Sequence, residues 1–241
     1  MSGEDCPNCG ASAPRRFCPE CGQTQGRETN TLRFWLRRTA EDYFSLDGRV
    51  PRSLRLLLIR PGRLTVEWHR GRRARYSNPA RLALLGAVIM VAVVGAVVPD
   101  VSLPTRLLPL VLLAMSPALA ALLARMERES GETYLEHTVT ILHLQAVYFL
   151  FHSVSMLTVI DDPPAPDVLE TLGGLAFAWT AVYTALALRR VYDDSWAPAI
   201  LKALTLHVVW WVLFSVALAL AGSAADAVEA LAAASHPPAG G

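Results

Sequence analysis

Cys6-Pro-Asn-Cys9-Gly and Cys18-Pro-Glu-Cys21-Gly place two C-x2-C pairs eight residues apart, and they hold all four cysteines of the chain. In such a pair the two intervening residues turn the backbone so that both sulfurs face one centre. Gly10 and Gly22 follow the second cysteines, where a positive φ is often required. Two knuckles supply four thiolates, a donor set that suits tetrahedral Zn²⁺ with Zn–S distances of about 2.3 Å. About twenty residues cannot build a hydrophobic core, so bound metal must supply the folding energy. Cys6, Cys9, Cys18 and Cys21 are therefore predicted to hold one structural zinc. Redox C-x-x-C chemistry and a rubredoxin-like iron site are the alternatives. The first lacks the βαβ surroundings it normally has. A closed four-cysteine site leaves no open coordination position, so its zinc is structural and not catalytic.

A second set of chemically capable residues lies in an apolar stretch. Glu136, Thr140 and His143 are spaced i, i+4, i+7, and Gln145, Tyr148, His152 and Ser155 are spaced i, i+3, i+7, i+10. On a helix these are two polar stripes on nearly opposite sides. His207 lies in a later apolar stretch, at a depth similar to that of His143. Ionisable residues inside a membrane are candidates for function. His143, His152 and His207 could accordingly bind a metal or haem, or serve a proton or quinone reaction. Interhelical hydrogen bonding also accounts for them and is the favoured reading. No nucleophile motif, phosphate loop or His-Glu-x-x-His sequence is present.

The elements that carry these residues follow from composition. The chain has 241 residues, 53% of them hydrophobic and only 18% charged, with mean hydropathy +0.33. This excludes a disordered chain, a collagen-like chain and a secreted disulfide scaffold. The N-terminus has no apolar core and is not read as a signal peptide. The net charge of +1 conceals a strong asymmetry: 16 of the 22 Lys and Arg lie in residues 1–81.

Four regions are predicted. Residues 1–26 form the zinc ribbon. Residues 30–78 are a basic, amphipathic juxtamembrane region, with helices expected along Leu32, Trp35, Leu36, Thr39 and Tyr43, along Arg52–Ile59 and along Leu64–Arg70. Residues 79–222 form an all-α bundle of five transmembrane helices, at about 79–98, 105–125, 138–160, 168–188 and 198–221, each near the ~20 residues that a span needs. Residues 223–241 are an Ala-rich flexible tail. Asn78-Pro79 gives the first span an N-cap followed by proline at its first helical position. A span polar on two sides cannot face lipid on either, so the third should be the central helix, packed on the second and fifth.

Basic amphipathic helices beside a membrane span read as interfacial, with arginines meeting anionic lipid headgroups. Nucleic acid is the disfavoured alternative partner. With the N-terminus inside, eighteen Lys and Arg from residue 31 onward fall on the cytosolic side and one, Arg106, falls outside. The positive-inside rule then puts the N-terminus in the cytosol and the C-terminus in the periplasm.

The ordered motifs resemble a bacterial multi-pass membrane family called domain of unknown function 3667. The resemblance is carried by Cys6 to Gln23, by Pro61-Gly62, by Gly71-Arg72-Arg73-Ala74-Arg75-Tyr76-Ser77-Asn78-Pro79, by Tyr134-Leu135-Glu136-His137 with His143, and by Arg189-Arg190-Val191-Tyr192. A His-x-His is expected in the third span, and this chain has His143-Leu144-Gln145 instead. The resemblance implies a bacterial inner-membrane protein with a zinc ribbon, and no particular reaction. Two functional classes are open: a non-enzymatic scaffold or accessory factor whose cytosolic ribbon docks a protein partner, which is favoured, and a membrane-embedded enzyme or redox protein using the intramembrane histidines.

Overall fold

The computed structural model describes residues 5–13, 17–24, 48–159 and 166–235, and among these it is helical apart from two isolated β-bridges in the ribbon. The expected helix along Leu32–Tyr43 lies outside the described residues. The helices are α1 (Arg49–Ile59), α2 (Arg63–His69), α3 (Pro79–Val97), α4 (Leu103–Arg106), α5 (Leu108–Ala114), α6 (Ser116–Met126), α7 (Tyr134–Ser155), α8 (Pro166–Val191) and α9 (Trp196–Ser235).

Local chemistry sets most boundaries. Pro61-Gly62 separates α1 from α2, and Gly62 sits at φ 72°. A Cβ there would lie 2.7 Å from the Ala187 carbonyl oxygen of α8, so the turn needs glycine for both conformation and space. Asn78 caps α3 as its spacing predicts, its side chain accepting from the Ala80 N–H at 3.0 Å. Thr133 and Glu136 form a capping box at the start of α7, each side chain bonding the other's backbone N–H. That box begins the helix at Tyr134, four residues before the predicted start, and α7 ends in a 3-10 turn, Met156–Val159.

Four helices are long and apolar enough to cross a membrane, or five if the bent pair α5 and α6 counts as one span. The second predicted span, 105–125, is not one straight helix. It is divided into α5 and α6 at Met115, with a bend of 43°. Pro117 near the start of α6 cannot donate a hydrogen bond back along the helix, and this accounts for the break. The last helix is also longer than expected. It continues to Ser235, through most of the segment read as a flexible tail, and the alanine run that suggested a loose end is a strong helix former.

α7 is the centre of the bundle: 72% of its span is buried, against 28%, 39% and 17% for α3, α8 and α9. Its neighbours are α3 above all, then α8 and α6. The expectation that the second and fifth spans flank it is therefore half right. α9, the fifth, packs mainly on α8 and on the α4–α6 side and reaches α7 through side chains.

Candidate metal centre

The ribbon consists of two copies of one turn. Cys6 N–H donates to Ala11 O and Gly10 N–H to Cys6 O, both at 2.8 Å. Cys18 N–H donates to Gln23 O at 2.8 Å and Gly22 N–H to Cys18 O at 2.9 Å. Gly10 and Gly22 have φ of 79° and 69°. The turns bring all four sulfurs within 4.8 Å of one another, with Cys6 Sγ 3.6 Å from Cys21 Sγ and Cys9 Sγ 3.5 Å from Cys18 Sγ. A tetrahedron with arms of ~2.3 Å has edges of ~3.8 Å, so the donor set fits one four-coordinate ion. Cys6 and Cys18 are buried, Cys21 is half-buried and Cys9 is exposed. Burial opposes ionisation of Cys6, but the backbone N–H groups of Cys9 and Asn8 and the neighbouring thiols outweigh it and lower its pKa to about 6.

Gln23 seats the ribbon on the bundle. Gln23 Nε2 donates to Gly71 O at 2.7 Å, and its Oε1 accepts from the Arg73 and Ala74 N–H groups at 3.1 and 3.0 Å. Beside it, Pro7 of the first knuckle packs so close to Gly71 that a Cβ there would meet the proline ring at 3.2 Å. Two motifs far apart in sequence, Cys-Gly-Gln and Gly-Arg-Arg, are therefore the two halves of one contact. A divalent ion held by four thiolates carries a formal charge of −2, and the Arg-rich α2–α3 loop complements it.

The polar stripes of α7 point into protein as predicted. Thr140, His143, Gln145, Tyr148 and His152 are all buried, while Glu136 at the helix start is half-buried. The first stripe faces α2: His143 Nδ1 pairs with Thr65 Oγ1 at 3.0 Å, and His69 Nε2 lies 3.1 Å from Glu136 O and 3.4 Å from Thr140 Oγ1. In the second, Gln145 Nε2 donates to Leu112 O at 2.9 Å. Tyr148 OH meets Thr184 Oγ1 at 3.0 Å and His207 Nδ1 at 3.2 Å, and Ser155 Oγ donates to Gly173 O at 3.0 Å. His143 and His207, paired by depth in the sequence reading, consequently belong to separate clusters. His207 groups instead with His152, since both rings pack on Tyr148.

Sequence reasoning overlooked His69. Its Nδ1 lies 3.3 Å from Glu132 Oε1. Burial lowers the His69 pKa, while burial and the neighbouring Glu136 raise Glu132 to about 7. A single histidine in a seven-residue helix carries no pattern that would have revealed this pair. Glu127, Asp194 and Lys202 form another ionic group, with Lys202 Nζ 2.6 Å from Glu127 Oε1 and 2.9 Å from Asp194 Oδ2. It ties the end of α6 to the α8–α9 turn.

Among the described residues, fold and site together define a helical bundle with several helices long and apolar enough to cross a membrane and a four-cysteine centre that fits a metal ion. Residues 47–91 match the model of a family described as protein of unknown function (DUF3667), the family that the motif order resembles. The match spans α1, α2, the Gly71 loop and most of α3. No curated protein and no solved structure matches the chain.

Proposed function

We propose that the protein is an integral membrane scaffold or accessory factor whose metal-held ribbon is presented at the cytosolic face to dock a protein partner. The observation that carries this reading is the Gln23 clamp, which seats a closed four-sulfur centre on the basic Gly71–Ala74 loop. A closed centre has no position for substrate, so its contribution is rigidity and a defined surface. Zn²⁺ is the proposed ion, because a four-thiolate tetrahedron suits it and it has no redox chemistry of its own.

The proposed membrane is the bacterial inner membrane, with five spans if α5 and α6 are one. Contacts of basic residues near the ribbon support an orientation with the ribbon end in the cytosol. Arg190 bonds Pro61 O, Lys202 joins Glu127 and Asp194, and the ribbon sits on the Gly71 loop. The positive-inside rule makes that end cytosolic and the far end of α9 periplasmic. α1 and α2 then lie at the interface, with their arginines at anionic headgroup level.

Proximity labelling from the N-terminus of the full-length protein tests the scaffold reading. The labelled neighbours should be lost in Cys9→Ser. An unchanged set of neighbours would overturn ribbon-dependent docking. The rival reading, a redox protein using His143, His152 or His207, draws on the buried Nε2 atoms of His143 and His152, which lack a hydrogen-bond partner. Haem or iron in addition to zinc in the purified protein would support it, whereas a colourless preparation containing zinc alone supports the scaffold.

A further inference from the structure

The chemistry of α1 is not used by the ribbon or by the bundle core. Arg52, Arg55, Leu56 and Ile59 are spaced i, i+3, i+4, i+7, so they share one face of the helix. With Arg60 and Tyr76 they line an open pocket of about 300 Å³. The opposite face of α1 is fixed to the bundle. Ser53 Oγ accepts from the Ser77 N–H at 2.8 Å, and Tyr183 OH of α8 donates to Leu57 O at 2.6 Å. These bonds hold the arginine face outward and place Tyr76 beside it. Arg52, Arg55 and Arg60 are exposed, and none has an acidic partner among the described residues. Three unneutralised guanidinium groups converging on one pocket are not required for folding, because their mutual repulsion opposes it.

The rim identifies the ligand. Ile59, which lines the pocket directly beside Arg60, is 65% exposed. A free polyanion in water leaves such side chains unused. An amphiphile uses both features, with its phosphate on the guanidinium groups and its chain along Leu56 and Ile59. Guanidinium groups bind phosphate oxygens through paired N–H donors, and Tyr76 can add a hydroxyl donor. A zwitterionic headgroup would bring its ammonium into the same positive field and be repelled. A phosphomonoester, with three terminal oxygens and close to two negative charges, matches three arginines best.

We propose that Arg52, Arg55, Arg60 and Tyr76 form a specific binding site for the phosphomonoester headgroup of an anionic lipid, seated against Leu56 and Ile59. The site rests on the reading that α1 lies at a membrane surface. The motif tyrosine of Gly-Arg-Arg-Ala-Arg-Tyr thereby acquires a role as one wall of a lipid site.

The test uses full-length protein in nanodiscs of phosphatidylcholine doped with phosphatidic acid, with bound lipid read by native mass spectrometry. Wild type should retain phosphatidic acid, and Arg52→Gln/Arg55→Gln should retain about tenfold less, as expected for losing two charge-assisted contacts. Arg125→Gln/Arg128→Gln, which removes the same charge outside the pocket, should retain as much as wild type. Equal loss in both double variants would overturn the site in favour of diffuse attraction. Dioctanoyl phosphatidic acid should compete for the site. Competition by inorganic phosphate at equal concentration would show that the apolar wall is idle and overturn the lipid assignment, as would stronger pocket-dependent retention of an oligonucleotide. Resistance of the protein to alkaline carbonate extraction tests the underlying membrane reading separately. An extractable protein refutes that reading, whereas a resistant protein with no preference for phosphatidic acid refutes only the site.

Discussion

Among the described residues of the ribbon, Cys6, Ala13 and Cys18 form the buried apolar cluster, whereas the helical part buries a continuous core from Leu57 through Trp210. The two regions solve the problem of conformational entropy differently. The helical part offsets it with packed area and with hydrogen bonds between helices. The ribbon has little area to bury, and its four clustered sulfurs could hold an ion that fixes its two similar turns. The Gln23 clamp and the Pro7–Gly71 contact join the two regions outside the apolar core of the bundle, so undoing the ribbon is expected to leave that core intact.

Removing one sulfur separates the two regions most sharply. Cys9→Ser should reduce bound zinc from one ion per chain to nearly none by elemental analysis, while the thermal midpoint of the helical part in detergent stays within a degree or so of wild type. A large fall in that midpoint would mean that the two regions fold as one unit. The converse perturbation is Gly62→Ala. Its new Cβ would clash with the Ala187 backbone at a positive φ, costing on the order of 3 kcal/mol in the helical part. Zinc content should be unchanged.

A smaller effect is expected at the clamp. Gln23→Ala removes three hydrogen bonds, each contributing a net ~0.5–1.5 kcal/mol. The ribbon should keep its zinc but become accessible to protease at the Gly71 loop, and limited digestion of the wild type and variant would show the difference. An unaltered digestion pattern would mean that Pro7 and its neighbours suffice for docking.

The mildest effect concerns the Glu132–His69 pair near the same end. Glu132 is raised to about 7 by burial and by Glu136, so its contribution to stability is fully present below its unfolded value and is lost as pH rises through about 7. His69 is lowered by burial and acts in the opposite sense, losing its contribution as pH falls below its unfolded value. Glu132→Gln should therefore raise the melting temperature more at pH 8 than at pH 5. An equal shift at both pH values would show that Glu132 is not titrating in the folded protein.

Much of this could be read in advance, and for identifiable reasons. Metal-ligand spacing is a property of short, local chain segments, so C-x2-C with a following glycine specified the sulfur cluster before any tertiary contact was known. Asn78-Pro79 fixed the start of α3 in the same local way. The two polar stripes required α7 to be central, because neither could face hydrocarbon. The break between α5 and α6 was less legible, since proline is tolerated in many spans and its outcome depends on the packing around it.

What local pattern could not decide was which distant residues meet. Equal depth suggested His143 beside His207, but depth is one coordinate, and helix rotation and neighbour order place them in different clusters. Thr65 and His69 come from a short helix whose sequence has no periodicity to show where it docks. Gln23 could be read as the end of a motif, but not as the residue that grips Gly71, Arg73 and Ala74. The sequence by itself determined the four-cysteine cluster, the start of α3 and the central helix, because these follow from local chain geometry and the cost of exposing polar groups to hydrocarbon. Only the tertiary structure decided the pairings, because contacts between residues some fifty to eighty positions apart depend on how whole helices rotate and cross, and that is a property of the packed assembly.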